Sequence, residues 1–368
     1  MRYVSTRNGA PALGFEEVML AGLASDGGLY VPEAWPRFTP AEIADLRGLS
    51  YPDLVARVAE AFGADAVPGL AELARAAYAP FDKLVPLTEL DDDLWLLELF
   101  WGPTLAFKDY ALQLLGRLFD NVLGARGERA TVLGATSGDT GSAAIEAFRD
   151  RPALDVVILH PKDRVSDVQR RQMTTVLSPN VHNVAVRGTF DDCQRLVKAM
   201  LTHPEFRDEL SLTSANSINW VRVMGQVAYY FAAALALGSP DREVSFAVPT
   251  GNFGNVFAGY VARKMGLPVR SLTIGTNCNN VLIRFLRTGR LTIDTVVPTV
   301  TPAMDIQVPS NLERLLFDLF GRDVGGMLQQ VAEHGSVEIG ETQLDALRAQ
   351  LDGVWLTDDA ILERIRAT

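Results

Sequence analysis

The sequence predicts an α/β protein in which a mainly helical N-terminal lobe precedes parallel sheet covered by helices on both faces. Two patterns carry this expectation. Roughly the first 80 residues show helical periodicity, interrupted by the turn-rich run Ser25-Asp26-Gly27-Gly28-Leu29-Tyr30-Val31-Pro32 and by a connector from Pro36 to Pro40. Beyond Phe81, short aliphatic or β-branched runs alternate with amphipathic helical segments, which is how parallel strands joined by crossover helices are written. The length of 368 residues allows two or more lobes, and a content of 48% hydrophobic and 21% charged residues is that of a globular chain.

Taken in order, strands are expected near 94–99, 130–133, 156–159, 184–186, 244–248 and 270–274. Helices are expected over 109–123, from about 142, over 190–201, over 256–265 and from about 358. Thr189, with Asp192 three residues on, reads as a capping box for the third of these. In such sheets ligands gather where strand-to-helix loops converge at the carboxyl ends of the strands. Three loops here are chemically loaded.

The first holds Lys108, in Gly102-Pro103-Thr104-Leu105-Ala106-Phe107-Lys108-Asp109. Apolar flanks lead its amine inward, and burial favours the neutral amine that condenses with a carbonyl cofactor. The alternative is a snorkelling lysine with its stem on the core and its head in water. The second loop is Gly134-Ala135-Thr136-Ser137-Gly138-Asp139-Thr140-Gly141-Ser142, whose small residues and hydroxyls let backbone amides face an anion. The third, Pro249-Thr250-Gly251-Asn252-Phe253-Gly254-Asn255-Val256, is a glycine-rich turn at a helix start and a ready phosphate cradle. It lacks the lysine of a nucleoside-triphosphate loop. Each loop alone is equally ordinary capping chemistry. Together they describe a site for a phosphorylated carbonyl cofactor, pyridoxal 5′-phosphate.

Composition sets other classes aside. A net charge of −11, with pI near 5.0, lacks the basic footprint of nucleic-acid or anionic-membrane binding. Cys193 and Cys278, far apart in sequence, support neither a disulfide framework nor a metal cage. No apolar run reaches membrane-spanning length and the start has no signal-peptide core, so a cytoplasmic location is expected.

The chain resembles the threonine synthase family, in the branch with a long N-terminal lobe, nearly collinearly from Tyr3 to about Gly353. The markers are Tyr3-x-Ser5-Thr6-Arg7, Gly22-Leu23-Ala24-x-Asp26-Gly27-Gly28-Leu29-Tyr30, the Lys108 loop, Ser137-Gly138-Asp139-Thr140-Gly141-Ser142, Asn216-Ser217-Ile218-Asn219-Trp220-x-Arg222, Gly251-Asn252-Phe253-Gly254-Asn255 and Met304-Asp305-Ile306-x-x-x-Ser310-Asn311. The resemblance implies a fold-type II pyridoxal-phosphate enzyme, similar to tryptophan synthase β. It would have an N-terminal lobe over 1–80 and a catalytic region over 81–368. Within that region a small lobe would span about 118–220, and a large lobe about 81–117 and 221–368. It further implies that Lys108 carries the cofactor as a Schiff base, and that Gly251, Asn252, Phe253, Gly254 and Asn255 hold its phosphate. The implied reaction converts O-phospho-L-homoserine and water to L-threonine and phosphate, in a monomer or homodimer.

For the substrate carboxylate, Thr136, Ser137 and Thr140 are the candidates, with Asp139 as a further contact. For the substrate phosphate they are Lys162, Arg164 and Arg222, with Ser217, Asn219 and Asn311 as donors, because arginine suits phosphate geometry. Arg170 and Arg171 read as solvated helix charges, and His160 as a structural strand-end residue. Another fold-type II lyase or dehydratase, a threonine-synthase-like phospho-lyase, or a truncated non-catalytic homologue that binds the cofactor stand as alternatives.

Several positions depart from the family pattern. Trp101 stands where histidine is usual, Asp163 where glycine is frequent, and Asn277-Cys278-Asn279-Asn280 replaces a more acidic run. The chain stops at Thr368, whereas the family pattern continues with a strand-helix unit bearing a Thr-Ala-His-Pro-Ala-Lys-like motif, whose hydroxyl faces the pyridine nitrogen. An uncovered sheet edge or apolar face is therefore expected.

Overall fold

The N-terminal 80 residues are mainly helical, with one short two-stranded ribbon. In this computed structural model, which describes residues 1–368 and Asp191 by its backbone alone, strands β1 (Tyr3–Ser5) and β2 (Tyr30–Pro32) pair antiparallel beside helix α1 (Phe15–Ala21). Helices α2 (Pro40–Asp45), α3 (Tyr51–Ala61) and α4 (Leu70–Tyr78) follow. Their starts are written locally: Thr39 and Glu42 close a reciprocal capping box before α2, and the Ser50 hydroxyl accepts from the Asp53 amide before α3. Tyr51 and Tyr78 then pack edge-on at 4.9 Å, and Tyr51 meets Tyr110 at 5.6 Å, which ties these helices to the rest of the chain.

Next come β3 (Leu87–Asp91), β4 (Leu94–Leu97) and the long helix α5 (Lys108–Arg126), which ends at Gly127 with φ 65°. A four-stranded, all-parallel sheet in the order β7-β6-β5-β8 is built from β5 (Ala130–Ala135), β6 (Leu154–Pro161), β7 (Val181–Val186) and β8 (Leu212–Ser214). Between these strands run α6 (Asp139–Phe148), α7 (Asp167–Thr174), α8 (Phe190–Thr202) and α9 (Pro204–Glu209). The central helix α10 (Trp220–Ala236) leads to β9 (Val244–Pro249), α11 (Gly254–Lys264) and β10 (Val269–Thr276). After α12 (Val281–Thr288), β11 (Arg290–Thr292), α13 (Leu312–Leu319), α14 (Gly325–His334), β12 (Ser336–Glu338) and α15 (Glu341–Arg348), strand β13 (Asp352–Trp355) completes a second parallel sheet, β13-β10-β9, and α16 (Asp358–Ala367) ends the chain. One continuous apolar core reaches from Tyr3 to Leu351, and a smaller cluster lies under α8. Among the described residues no helix is long and apolar enough to cross a membrane.

The expected strand at 94–99 is not a member of the parallel sheets. It is the second arm of an antiparallel hairpin, in which Asp91 pairs with Leu94 and Asp93 takes the left-handed φ of 59°. The physical reason is the acidic turn Asp91-Asp92-Asp93, which reverses the chain and leaves Leu94 55% exposed. Strands β8 and β13 carry too few residues to register as apolar runs in the sequence. Helix α6 opens at Asp139, three residues before the expected start, because Gly138 turns the chain at φ 149° and the Thr136 hydroxyl takes the Gly138 and Gly141 amides at 2.9 and 2.8 Å.

Candidate active site

Lys108 is the first residue of α5, and the loop that delivers it is held from within. The buried Asp109 carboxylate accepts from the Thr104 amide and hydroxyl at 2.8 and 2.7 Å. Gly102 leaves the room this needs, since a Cβ there would stand 2.5 Å from that carboxylate. The Lys108 side chain is only 12% exposed, and its ammonium donates to Asp139, the first residue of α6. Snorkelling is therefore not its state. Burial pushes the Asp139 carboxyl up, but Lys108, the Thr140 amide at 2.7 Å and Arg222 outweigh it and hold the group below the usual carboxylate range.

At the end of β9 the chain enters the glycine-rich turn. Thr250 closes the strand by donating its amide to the Gly275 carbonyl at 2.8 Å. Phe253, buried at φ 67°, then holds a left-handed conformation that a bulky residue rarely adopts. Among the described residues the amides of Gly251, Asn252, Phe253, Gly254 and Asn255 donate to no protein acceptor, and all five residues line one cavity. Successive free amides at a helix start are an anion cradle. It is buttressed from behind. Tyr229 and Tyr230 donate to the Asn255 side chain at 2.7 and 2.8 Å. Asn311 gives its backbone and side-chain N–H to the Asn252 carbonyl, both at 3.1 Å. The Asn311 side-chain oxygen is taken by the fully buried Arg314, whose pKa burial lowers to about 9. Above the cradle, Asp305 fixes the segment 299–306: Oδ1 accepts from Asn277, Asn279 and Thr299 at 2.8, 3.1 and 2.7 Å, and Oδ2 from the Thr299 amide at 3.1 Å.

The cavity has a volume of about 660 Å³, ample for a cofactor with an amino-acid substrate. Thr136, Ser137, Asp139 and Thr140 form one wall beside Lys108. Ser217 and Arg222 face it as well. Arg222 is buried, its Nη1 donates to the Ala215 carbonyl at 2.5 Å, its Nε has no partner among the described residues, and burial lowers its pKa to about 10.

Other candidates are placed elsewhere. Lys162 and Arg164 are exposed beyond β6 and do not line the cavity, and Asp163 between them takes φ 59°, where glycine is at ease. Asn219 lies behind the wall as the cap of α10, with its side-chain oxygen on the Val221 amide at 3.0 Å. Asn311 also lies behind, as the cradle's buttress. His160 is buried at the end of β6, away from the cavity lining, and Trp101 donates to Glu98 at 2.6 Å outside it. Sequence reasoning missed Arg7, Lys198, Gln169 and Glu313, all of which line the cavity. For Lys198 the sequence holds no signal, since it looks like any solvated helix charge.

The donor set fits pyridoxal phosphate, with an inward lysine amine and a lysine-free amide cradle opening on the same cavity. Fold and site thus define a pyridoxal-phosphate-dependent enzyme of fold-type II. Residues 77–349 match the family described as pyridoxal-phosphate dependent enzyme, and residues 2–78 match the threonine synthase N terminus. Threonine synthase of Pseudomonas aeruginosa is 52% identical over 99% of this chain and 79% of its own length. That of Saccharomyces cerevisiae is 38% identical over 99% and 77%. The crystal structure of threonine synthase with bound pyridoxal phosphate from Brucella melitensis superposes with a TM-score of 0.92 at 52% identity, covering 97% of this chain and 78% of that one. The chain belongs to the threonine synthase family.

Proposed function

We propose that this protein converts O-phospho-L-homoserine and water to L-threonine and phosphate, with Lys108 as its catalytic amine. One observation carries this most directly: Lys108 and the five amides of 251–255, which have no acceptor among the described residues, open onto the same cavity. Bound there, pyridoxal phosphate supplies an electron sink for charge developing beside the amino acid's Cα. The residues of the chain do the rest. The 251–255 amides hold the cofactor phosphate, and the 136–140 wall receives the substrate carboxylate. Asp139 aims the Lys108 Nζ, which is placed to take the proton from Cα and to return protons later in the reaction. Arg222, dry and with an unpaired Nε, supplies positive charge for the substrate's phosphate.

The lobes at 118–220 and at 81–117 with 221–368 then flank the cavity. The same reading takes the protein to be cytoplasmic, a monomer or homodimer, without nucleic-acid or membrane partners.

The test is a product assay on the purified protein with and without added pyridoxal phosphate. Threonine and phosphate should appear in equal amounts, and Lys108→Ala should lose both the turnover and the visible absorbance band of the lysine-bound cofactor. A variant that keeps the band ends the assignment of Lys108, and formation of another amino acid or keto acid ends the assignment of the reaction.

A further inference from the structure

Two marker motifs find no use in the chemistry above, Ser5-Thr6-Arg7 and Asp26-Gly27-Gly28. In the structure they build one object. The Asp26 carboxylate accepts from the Ser5 hydroxyl at 2.8 Å, the Gly28 amide at 2.9 Å and the Gly9 amide at 2.8 Å, which clamps 5–9 against 26–28. The Arg7 side chain then lies across the two glycines. A Cβ at Gly28 would stand 3.0 Å from Arg7 Cγ and 2.2 Å from Ser5 Oγ, and one at Gly27, where φ is 75°, would stand 3.1 Å from Arg7 Nη1. Only glycine leaves the arginine this path.

Beyond the glycines the side chain reaches a carboxylate. Arg7 Nε faces Glu313 Oε1 at 3.5 Å, and the Thr6 hydroxyl donates to that same oxygen. Glu313 is 10% exposed, lies in the first turn of α13 and lines the cavity with Arg7. Its neighbour Arg314 donates to the Ser217 carbonyl at 3.4 Å and the Ile218 carbonyl at 2.5 Å, so α13 brings Arg7 to the wall that carries Ser217. Among the described residues neither Nη of Arg7 has an acceptor. Arg7, its side chain 36% exposed, thus has a carboxylate beside its Nε and leaves both terminal nitrogens open to a bidentate oxyanion.

We propose that Arg7 determines substrate specificity by binding the phosphate of the amino-acid substrate, a contact supplied by the N-terminal lobe; this rests on the function proposed above. The cofactor's phosphate has the 251–255 amides and the substrate's carboxylate has the 136–140 wall. The third anion needs a cation of its own, and Arg7 joins Arg222 there.

The test uses the cofactor-loaded protein and two ligands, the phosphonate isostere of O-phospho-L-homoserine and L-norvaline, which lacks the phosphonate. Arg7→Gln should weaken phosphonate binding about 10- to 100-fold. It should raise KM for the substrate by a similar factor with kcat changed much less, and leave norvaline binding and the cofactor absorbance as in the unmodified protein. Arg7→Lys, which keeps the charge but not the fork, should lose about threefold or more, and it carries the test if Arg7→Gln does not fold. Phosphonate binding unchanged within twofold, or an equal loss for both ligands, overturns the role of Arg7. An unmodified protein that neither binds the phosphonate nor makes threonine shows instead that the functional reading has failed, and the proposal falls with it.

Discussion

Gly251→Ala isolates the steric demand of the cradle. A Cβ at 251 would stand 2.6 Å from the Ala303 carbonyl oxygen, 3.2 Å from Ile306 Cγ1 and 3.3 Å from Met304 Cα. The closest approach is about 0.8 Å inside the 3.4 Å at which ordinary contact begins, and its partner is backbone that cannot rotate aside. Yielding would mean moving the segment that Asp305 pins with four hydrogen bonds, or moving the cradle itself. Overpacking of this kind costs about 1–3 kcal/mol, and about 2 kcal/mol is a roughly 30-fold change in the folded ratio. Gly254→Ala is the control, because its nearest neighbour would be Asn311 Nδ2 at 3.4 Å. Urea unfolding of the cofactor-free proteins should place Gly251→Ala below the unmodified protein by that amount and Gly254→Ala within about 0.5 kcal/mol of it. Titration with pyridoxal phosphate should then show weaker binding by Gly251→Ala. Equal cofactor-free stability of the two variants would refute the steric argument.

Two further perturbations probe a residue of the cavity wall and one behind it. Asp139 has a depressed folded pKa, so its contribution is fully present above the unfolded carboxylate range near 4 and is lost as pH falls through the lower folded value. In the cofactor-free protein Asp139→Asn should cost about 3 kcal/mol at neutral pH, by leaving the Lys108 ammonium unpaired, and should flatten the acid limb of the stability-pH curve. A variant whose acid limb matches the unmodified protein's would contradict the pairing. Asn311→Ala removes one acceptor of a fully buried arginine and the side-chain donor to the Asn252 carbonyl, while the backbone donor stays. It should lower unfolding stability by about 2 kcal/mol and loosen cofactor binding, measured by equilibrium dialysis, although Asn311 is not among the cavity-lining residues.

Much of the site was legible because its chemistry is local. Lys108, the 134–142 loop and the 249–256 turn each sit where a strand gives way to a helix, and glycine, hydroxyl and amide clusters mark such places in sequence. What stayed hidden depends on distance in the chain. Lys162 and Arg164 looked like pocket cations because they follow a strand end, yet the left-handed turn at Asp163 carries them into solvent. Asn219 and Asn311 looked like ligand donors, and they instead satisfy backbone groups. Arg7 could have been suspected only by asking why Gly27 and Gly28 stand beside Asp26, a question whose answer lies across the fold. The strand expected at 94–99 is an arm of a hairpin and not of a parallel sheet because leucines in a row look alike whether they are covered or exposed, and the acidic turn before it is the signal that tells them apart.

The buried tyrosines that begin in the N-terminal helices do not stop there. From Tyr51 and Tyr78 the contacts pass to Tyr110, from Tyr110 to Tyr229 at 6.0 Å, from Tyr229 to Tyr230 at 5.2 Å, and from both hydroxyls to Asn255 in the cradle. The boundary between the two family segments, at 77–78, thus runs through a continuous aromatic packing. A lineage exchanging the first segment by recombination would have to carry a matching phenol surface with it. The first segment is in that sense not a transferable cassette, and its buried tyrosines are constrained to change in step with the helices they touch.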